Sequence, residues 1–228
     1  AVKTWSPYPT PPFDANVYFN PRWWTVPQYN FRAGYFLSER FCLSLGNDHM
    51  KYVMVTDQIS TISGSIDSSA SSIYQGDYNN NSITLTRDFL RYEHTDGLNY
   101  VSVEGDFYGN LWRSNNKKQQ FDYFIGGGVG MLYPRSDVDI YDIEGVNVFH
   151  IAGWGSAVET GIRFDFIPQV HLLVSLKAGY INMPNVLTTS SGHKAKQHFW
   201  FLQRFASIGF NTMVFQKKKK ETEGTKPF

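Results

Sequence analysis

WGSAVETGIRFDF, residues 154–166, decides how the rest of the chain is read. Its even positions are Trp154, Ser156, Val158, Thr160, Ile162, Phe164 and Phe166. Its odd positions are Gly155, Ala157, Glu159, Gly161, Arg163 and Asp165. One set is mostly apolar and ends in aromatics; the other is small or charged. A period of two puts the sets on opposite faces of a β-strand. If the apolar face turns inward, the strand belongs to a soluble barrel or sandwich. If the charged face turns inward, the apolar face meets lipid.

Bulk composition narrows the choice. The chain has 228 residues, 17% of them aromatic, and 19 glycines, a mix that suits β-structure with interfacial aromatics. The net charge of +1 calls for neither nucleic acid nor an acidic partner. One cysteine, Cys42, leaves no disulfide framework and no CxxC metal site. No apolar run is long enough for a transmembrane helix, but barrel strands carry a much weaker signal. The opening AVKTW reads as a mature N-terminus after cleavage of a leader.

The alternation recurs along the chain. Residues 1–27 hold six of the ten prolines and read as an irregular arm, with a short edge strand at Asp14–Phe19 and Trp23-Trp24 at an interface. Strands are expected at 28–37, 40–54, 98–113, 119–133, 152–167, 169–185 and 199–215. A further strand at Ile83–Tyr92 lies inside a long polar excursion. The last strand loses phase near Gln203-Arg204, which suggests a bulge. Residues 216–228, with Lys217–Lys220, read as a charged tail that touches anionic lipid heads or is simply solvated.

Connections alternate in length. Short ones fall at Ser38-Glu39, Arg113–Gln120 and Pro168-Gln169; long ones fall at 57–97, 134–150 and 188–197. That asymmetry is typical of outer-membrane barrels, with short periplasmic turns and long external loops. The polar faces carry Arg32, Asp48, Glu104, Asp106, Asp122, Glu159, Arg163, Asp165 and Lys177. Both signs are present, so they can neutralise one another in a packed interior, where charges must be paired. The expectation is an all-β, antiparallel transmembrane barrel over 28–215. Seven strands plus one from residues 1–27 make eight, a number filled by its own side chains. The tail is then periplasmic, and the lumen network comprises Arg32, Glu104, Asp106, Glu159, Arg163, Asp165 and Lys177.

On this pattern the chain resembles small outer-membrane β-barrel proteins of the Bacteroidota type. Supporting stretches are NDHMKYVM (47–54), FLRYEHTDGLNYVSVE (89–104), PRSDVDI (134–140) and KQHFWFLQRF (196–205). The resemblance implies a location and a fold but no reaction.

Candidate chemistry sits at the rim. His94, Asp96 and His49 are the residues from which a hydrolytic site would be built. Outer-membrane lipid A deacylases and phospholipases use a Ser–His pair oriented by a carboxylate or amide. Those enzymes carry His-x-Ser on one strand, and none of the six histidines here has Ser two residues on. Asp137, Asp139 and Asp142, with Glu144, form a weak candidate set for a hard cation, lacking the glycine and terminal glutamate of an EF-hand loop. Gly126-Gly127-Gly128 lies within a strand and is no nucleotide loop. No cofactor is expected. The leading expectation is a non-enzymatic, structural or accessory barrel subunit in a larger envelope complex, such as a secretion or outer-membrane assembly complex. Its partners are outer-membrane lipid and other envelope proteins, with no nucleic acid. The alternatives are a lipid acyl hydrolase with a rim histidine, or a small-ligand or ion-binding barrel.

Overall fold

A computed structural model describes residues 4–5, 15–16, 20, 29–141 and 143–212. The strands are β1 (Thr4–Trp5), β2 (Asn30–Phe36), β3 (Phe41–Met54), β4 (Gln58–Ile66), β5 (Gly76–Leu85), β6 (Leu90–Arg113), β7 (Gln120–Ile140), β8 (Ile143–Glu144), β9 (Val148–Phe149), β10 (Gly153–Ile167), β11 (Val170–Leu187) and β12 (Lys194–Phe210). Every pairing is antiparallel. The main sheet has ten strands along the path β1-β3-β6-β7-β10-β11-β12, with β2 also on β3 and β8 and β9 on β7; β4 and β5 form a separate hairpin.

The seven expected long strands are β2, β3, β6, β7, β10, β11 and β12. A total of eight is not what the chain builds. The added strands come from polar segments read as loops. The 57–82 excursion is largely the β4–β5 hairpin, whose Ile62, Ile66 and Ile83 pack around Met54, Leu85 and Phe89. PRSDVDI, read as loop, belongs to β7, and the 188–197 loop ends at Lys194, where β12 begins. Most of the proline-rich arm lies outside the described residues. Of Asp14–Phe19, Ala15 and Asn16 are described and are not extended. Thr4–Trp5 pairs with Val53–Met54, on the edge of β3 that also carries β2. Among the described residues no backbone pairing joins β12 to β2.

The sheet nonetheless rolls until inward side chains of its distant strands touch. Lys177 on β11 reaches Asp48 on β3, Arg32 on β2 reaches Glu159 on β10, and the Tyr52 and Phe199 rings of β3 and β12 lie 4.6 Å apart. The opening stretch now has its orientation. In β10 Ala157, Glu159, Arg163 and Asp165 are buried, whereas Trp154, Val158 and Ile162 are exposed. The outer face is apolar along the long strands, with Phe31, Leu45, Val103, Ile125, Val158, Leu176 and Leu202 all exposed, and is interrupted by Arg204 on β12. Aromatics border it. Trp154, Tyr180 and Trp200 form a chain of ring contacts across β10, β11 and β12, and Phe121, Phe164 and Phe166 form another near the short turns.

The glycines of β7 make room for the interior. Gly128 faces Glu104 across the β6–β7 ladder, and a Cβ there would lie 2.2 Å from the Val103 carbonyl oxygen and 2.5 Å from Glu104 Cγ. Gly126 stands likewise against Asp106. Backbone cannot move aside as a flexible side chain can. Gly128→Val is therefore expected to cost about 1–3 kcal/mol or more. The readout is a lower unfolding temperature.

Candidate functional site

The interior is layered along the strand axis. At mid-height five strands send charged side chains to one point. Lys177 Nζ donates to Asp48 Oδ2 at 2.6 Å and Glu104 Oε1 at 2.7 Å, with Glu159 Oε2 at 3.5 Å. Arg32 contacts Glu159 Oε2 at 3.0 Å, Glu104 Oε2 at 2.8 Å and Asp48 at 3.7 Å. Ser102 Oγ donates to Glu104 Oε1 at 2.6 Å. Lys177, Asp48, Glu104 and Glu159 are almost wholly buried. Asp106 is buried beside them with Oδ1 lacking a hydrogen-bond partner among the described residues.

Of the expected lumen network, Arg32, Glu104, Glu159 and Lys177 form this knot. Asp48, on the same polar face, joins it. Arg163 and Asp165 lie apart, paired at 2.8 Å nearer the short turns, where Arg163 also donates to Asn211 and lies over the Phe36 and Tyr108 rings. Below this pair opens a cavity of about 710 Å³, bordered by Arg40, Arg113, Lys117 and Asp122. Asp122 is held by the Asn110 and Gln120 amides.

Toward the long connections the interior becomes apolar. Met50, Leu98, Tyr100, Leu132, Ile181, Met183, Val186 and Phe201 form a closed cluster. His94 caps it. Residues 94–97 of β6 form an irregularity against both β3 and β7, and Gly97 takes a φ of +112°, open to glycine but strained for other residues. The bulge places the His94 ring inside. Its Nδ1 lies 3.0 Å from Ser136 Oγ and its Nε2 2.9 Å from Gln197 Oε1, which also accepts from the Tyr92 hydroxyl. An amide oxygen can only accept, so Nε2 carries the proton and Ser136 donates to Nδ1. Burial holds the imidazole down at about 4 against the Gln197 bond, which raises it.

This Ser136–His94–Gln197 relay has the connectivity of a nucleophile, base and orienting group. His94 and Ser136 are 0% and 1% exposed, so neither reaches a substrate in this structure. The expected trio does not assemble. His49 lies on the opposite face from its inward neighbours Asp48 and Met50, stacked on Tyr29 and bonded to Asn99 Oδ1 at 2.9 Å. The Asp96 side chain lies outside the described residues. Neither Ser136 nor Gln197 stands two residues from His94; the β6–β7 pairing brings Ser136 to it, and the roll of the sheet brings Gln197 from β12.

The acidic set is an ion-pair ladder. Asp137 and Asp139 face Arg91 across the β6–β7 pairing, with Arg91 Nε 3.0 Å from Asp139 Oδ2 and Nη2 on Asp137. Asp142 and the Glu144 side chain lie outside the described residues. Among the described residues no cluster of three or more His, Cys, Asp or Glu could hold a metal ion. No family model, curated protein or solved structure matches the chain.

Two predictions follow from the interior. Lys177→Ala leaves three buried carboxylates short of a cation and is expected to destabilise by about 3–5 kcal/mol. Lys177→Met with Glu104→Gln should recover much of that loss. Chemical denaturation measures both. His94 is neutral in the folded protein down to about pH 4, whereas in the unfolded chain it protonates near pH 6.5. Between those values the unfolded chain binds more protons, so stability falls as the pH drops through that window, by about 3 kcal/mol in all. His94→Gln should flatten this part of the stability–pH profile.

Proposed function

We propose that the chain is a membrane-embedded β-barrel that conducts nothing and serves as a structural or accessory subunit of an outer-membrane assembly. The observation that carries this reading is the outer face: an apolar band around the rolled sheet, bordered by two sets of aromatics, around a charged interior. Trp154 and Phe164 are ten residues apart on β10, about 33 Å along a strand and about 25 Å when the strand is tilted by about 40°. That is the height of the apolar band of outer-membrane barrels. Large exposed apolar patches mark lipid or partner contacts.

The orientation follows from the connections. Short turns at 37–40, 114–119 and 168–169 face the periplasm. The β4–β5 hairpin and the upper halves of β6 and β7 stand outside the cell. The Lys177–Arg32 knot and the apolar cluster above it fill the bore in series, which supports a plugged interior. The partner side of the reading rests on β12. Its outward positions run through Trp200, Leu202, Arg204, Ala206 and Ile208, so Arg204 interrupts the apolar face on a strand with no second neighbour among the described residues. An arginine facing lipid at mid-depth costs about 2–4 kcal/mol. Cover by a protein neighbour removes that cost.

Three measurements test this. The purified chain should migrate faster unheated than boiled, and its tryptophans should be quenched by brominated lipid. Planar bilayers should show no steady conductance. Native extraction from the envelope should recover the chain with other proteins, and Arg204→Glu should release them. Recovery as a soluble protein without detergent overturns the membrane reading, and recovery as a lone monomer overturns the subunit reading.

The His94 relay supports a second, weaker reading as a lipid acyl hydrolase. It requires Ser136 and His94 to become exposed. Loss of acyl release from phospholipid in Ser136→Ala, with folding intact, would establish it; no release by the unmodified chain would end it.

A further inference from the structure

The charge balance of the last two strands is one-sided. From residue 166 to residue 220 the sequence contains no Asp or Glu. Within that span Lys177 points inward and is neutralised by carboxylates from other strands. The other described cations are Lys194, Lys196 and Arg204, all on β12 and all exposed. None makes a salt bridge among the described residues; Lys194 reaches only the Asn185 amide oxygen, at 3.4 Å.

Register fixes where they stand. The β11–β12 pairing runs without a shift from Met183↔Gln197 to Val170↔Phe210; beyond it β11 carries one extra residue between Met183 and Val186, opposite Gln197 and Ala195, while exposure along β12 itself still alternates from Lys194 to His198. Inward positions are Gln197, Phe199, Phe201 and Phe205; outward positions are Lys194, Lys196, His198, Trp200 and Leu202. Lys196 and His198 therefore lie on the outer face directly above Trp200, and Trp200 belongs to the aromatic border through Tyr180. His198 also approaches the Tyr180 ring, with centroids 6.4 Å apart. Asn182, across from His198, adds an amide on the same face.

We infer that Lys194, Lys196 and His198 form an outward site for a phosphate-bearing lipid headgroup at the long-connection end of the barrel. The inference rests on the membrane reading above, which puts Trp200 at the hydrocarbon boundary and these side chains at headgroup depth. Two ammonium groups and an imidazole on one strand face match an anionic headgroup in charge and in donor count. Asn182 supplies a further donor for a phosphate or glycerol oxygen. A protein partner with acidic side chains is the competing occupant. Lipid is favoured because the cations continue the same outward column as the apolar Trp200 and Leu202, so one lipid molecule spans both: headgroup on the lysines, chains along the apolar stripe.

The test uses the full chain in nanodiscs of phosphatidylcholine with or without a minority of phosphatidylglycerol. Native mass spectrometry counts the lipids that stay bound after release. The unmodified chain is expected to retain phosphatidylglycerol over phosphatidylcholine. Lys194→Gln with Lys196→Gln is expected to lower that preference on the order of twentyfold, each lysine near an anionic surface contributing a factor of about five. Lys117→Gln with Lys118→Gln, at the opposite end, should leave it unchanged. Equal retention of the two lipids by the unmodified chain overturns the inference without needing any variant. So does competition by inorganic phosphate at equal affinity, which would assign a free anion instead of a lipid. Heat-modifiable migration is recorded on the same samples. Its absence overturns the membrane reading itself, whereas its presence with no headgroup preference overturns the site alone.

Discussion

A lysine buried among carboxylates has no tolerable alternative to its partners, and that constraint organises this fold. Lys177 is on β11, and its acceptors come from β3, β6 and β10; Arg32 brings in β2. Moving charge out of water costs several kcal/mol per ion even after relaxation, so one missing partner is expensive. The knot therefore requires the sheet to roll far enough for β2 and β3 to face β10 and β11. It also specifies register. A slip of one residue in any contributing strand would turn its charge onto the apolar outer face and its apolar residues into the knot. Such a knot adds little net stability over an apolar core of equal volume, but it makes alternative pairings costly.

The interior changes character along its length, and this explains which parts of the fold were legible in the sequence. From the short turns to mid-height the strands are charged inside and apolar outside, so period-two alternation is plain in 28–37, 119–133 and 154–166. Above the Trp154–Tyr180–Trp200 border the inward residues are apolar too, as Met50, Tyr100, Met183 and Val186 are. There the contrast between faces disappears. The expected phase slip at Gln203-Arg204 arises this way: Phe199 and Phe201 face inward beside the outward Trp200 and Leu202, and the register is regular at Gln203 and Arg204. The irregularity that shapes the interior, at 94–97, is marked in the sequence by Gly97.

Polar strands were the other blind spot. Gln58–Ile66, the part of β5 before Ile83 and PRSDVDI read as loops because Gly, Asn and Asp are poor strand formers on average; the strand expected at Ile83–Tyr92 is split between the end of β5 and the start of β6. They pair because tertiary neighbours override that tendency. Arg91 neutralises Asp137 and Asp139 across the ladder, and the β4–β5 hairpin closes Ile62, Ile66 and Ile83 over Phe89. The site residues divide along the same line. Arg32, Glu104, Glu159 and Lys177 were readable because a charge on an otherwise small face is conspicuous. Ser136 and Gln197 were not, since their chemistry depends on His94 arriving from another strand through a bulge.

The crossover at the aromatic border also bears on the surroundings of the molecule. A soluble barrel keeps its apolar residues inside from end to end, because water is on every outer surface. Here the apolar residues lie outside over the lower stretch of the long strands, and on β3, β6, β7, β11 and β12 they lie inside beyond it. Hydrophobic burial favours such a reversal when the surroundings themselves change from apolar to aqueous at that height. On the proposed membrane reading the apolar cluster around Met50, Leu98, Met183 and Val186 is an ordinary globular core standing above the bilayer. His94, neutral and hydrogen-bonded at both ring nitrogens, closes it from inside, as buried polar groups must be when water cannot reach them. The charged knot below is the converse solution, polar groups satisfying one another where neither water nor lipid can do so. On the proposed membrane reading the two interiors are one chain's response to two solvents, with the Trp154, Tyr180 and Trp200 contacts at the height where one gives way to the other.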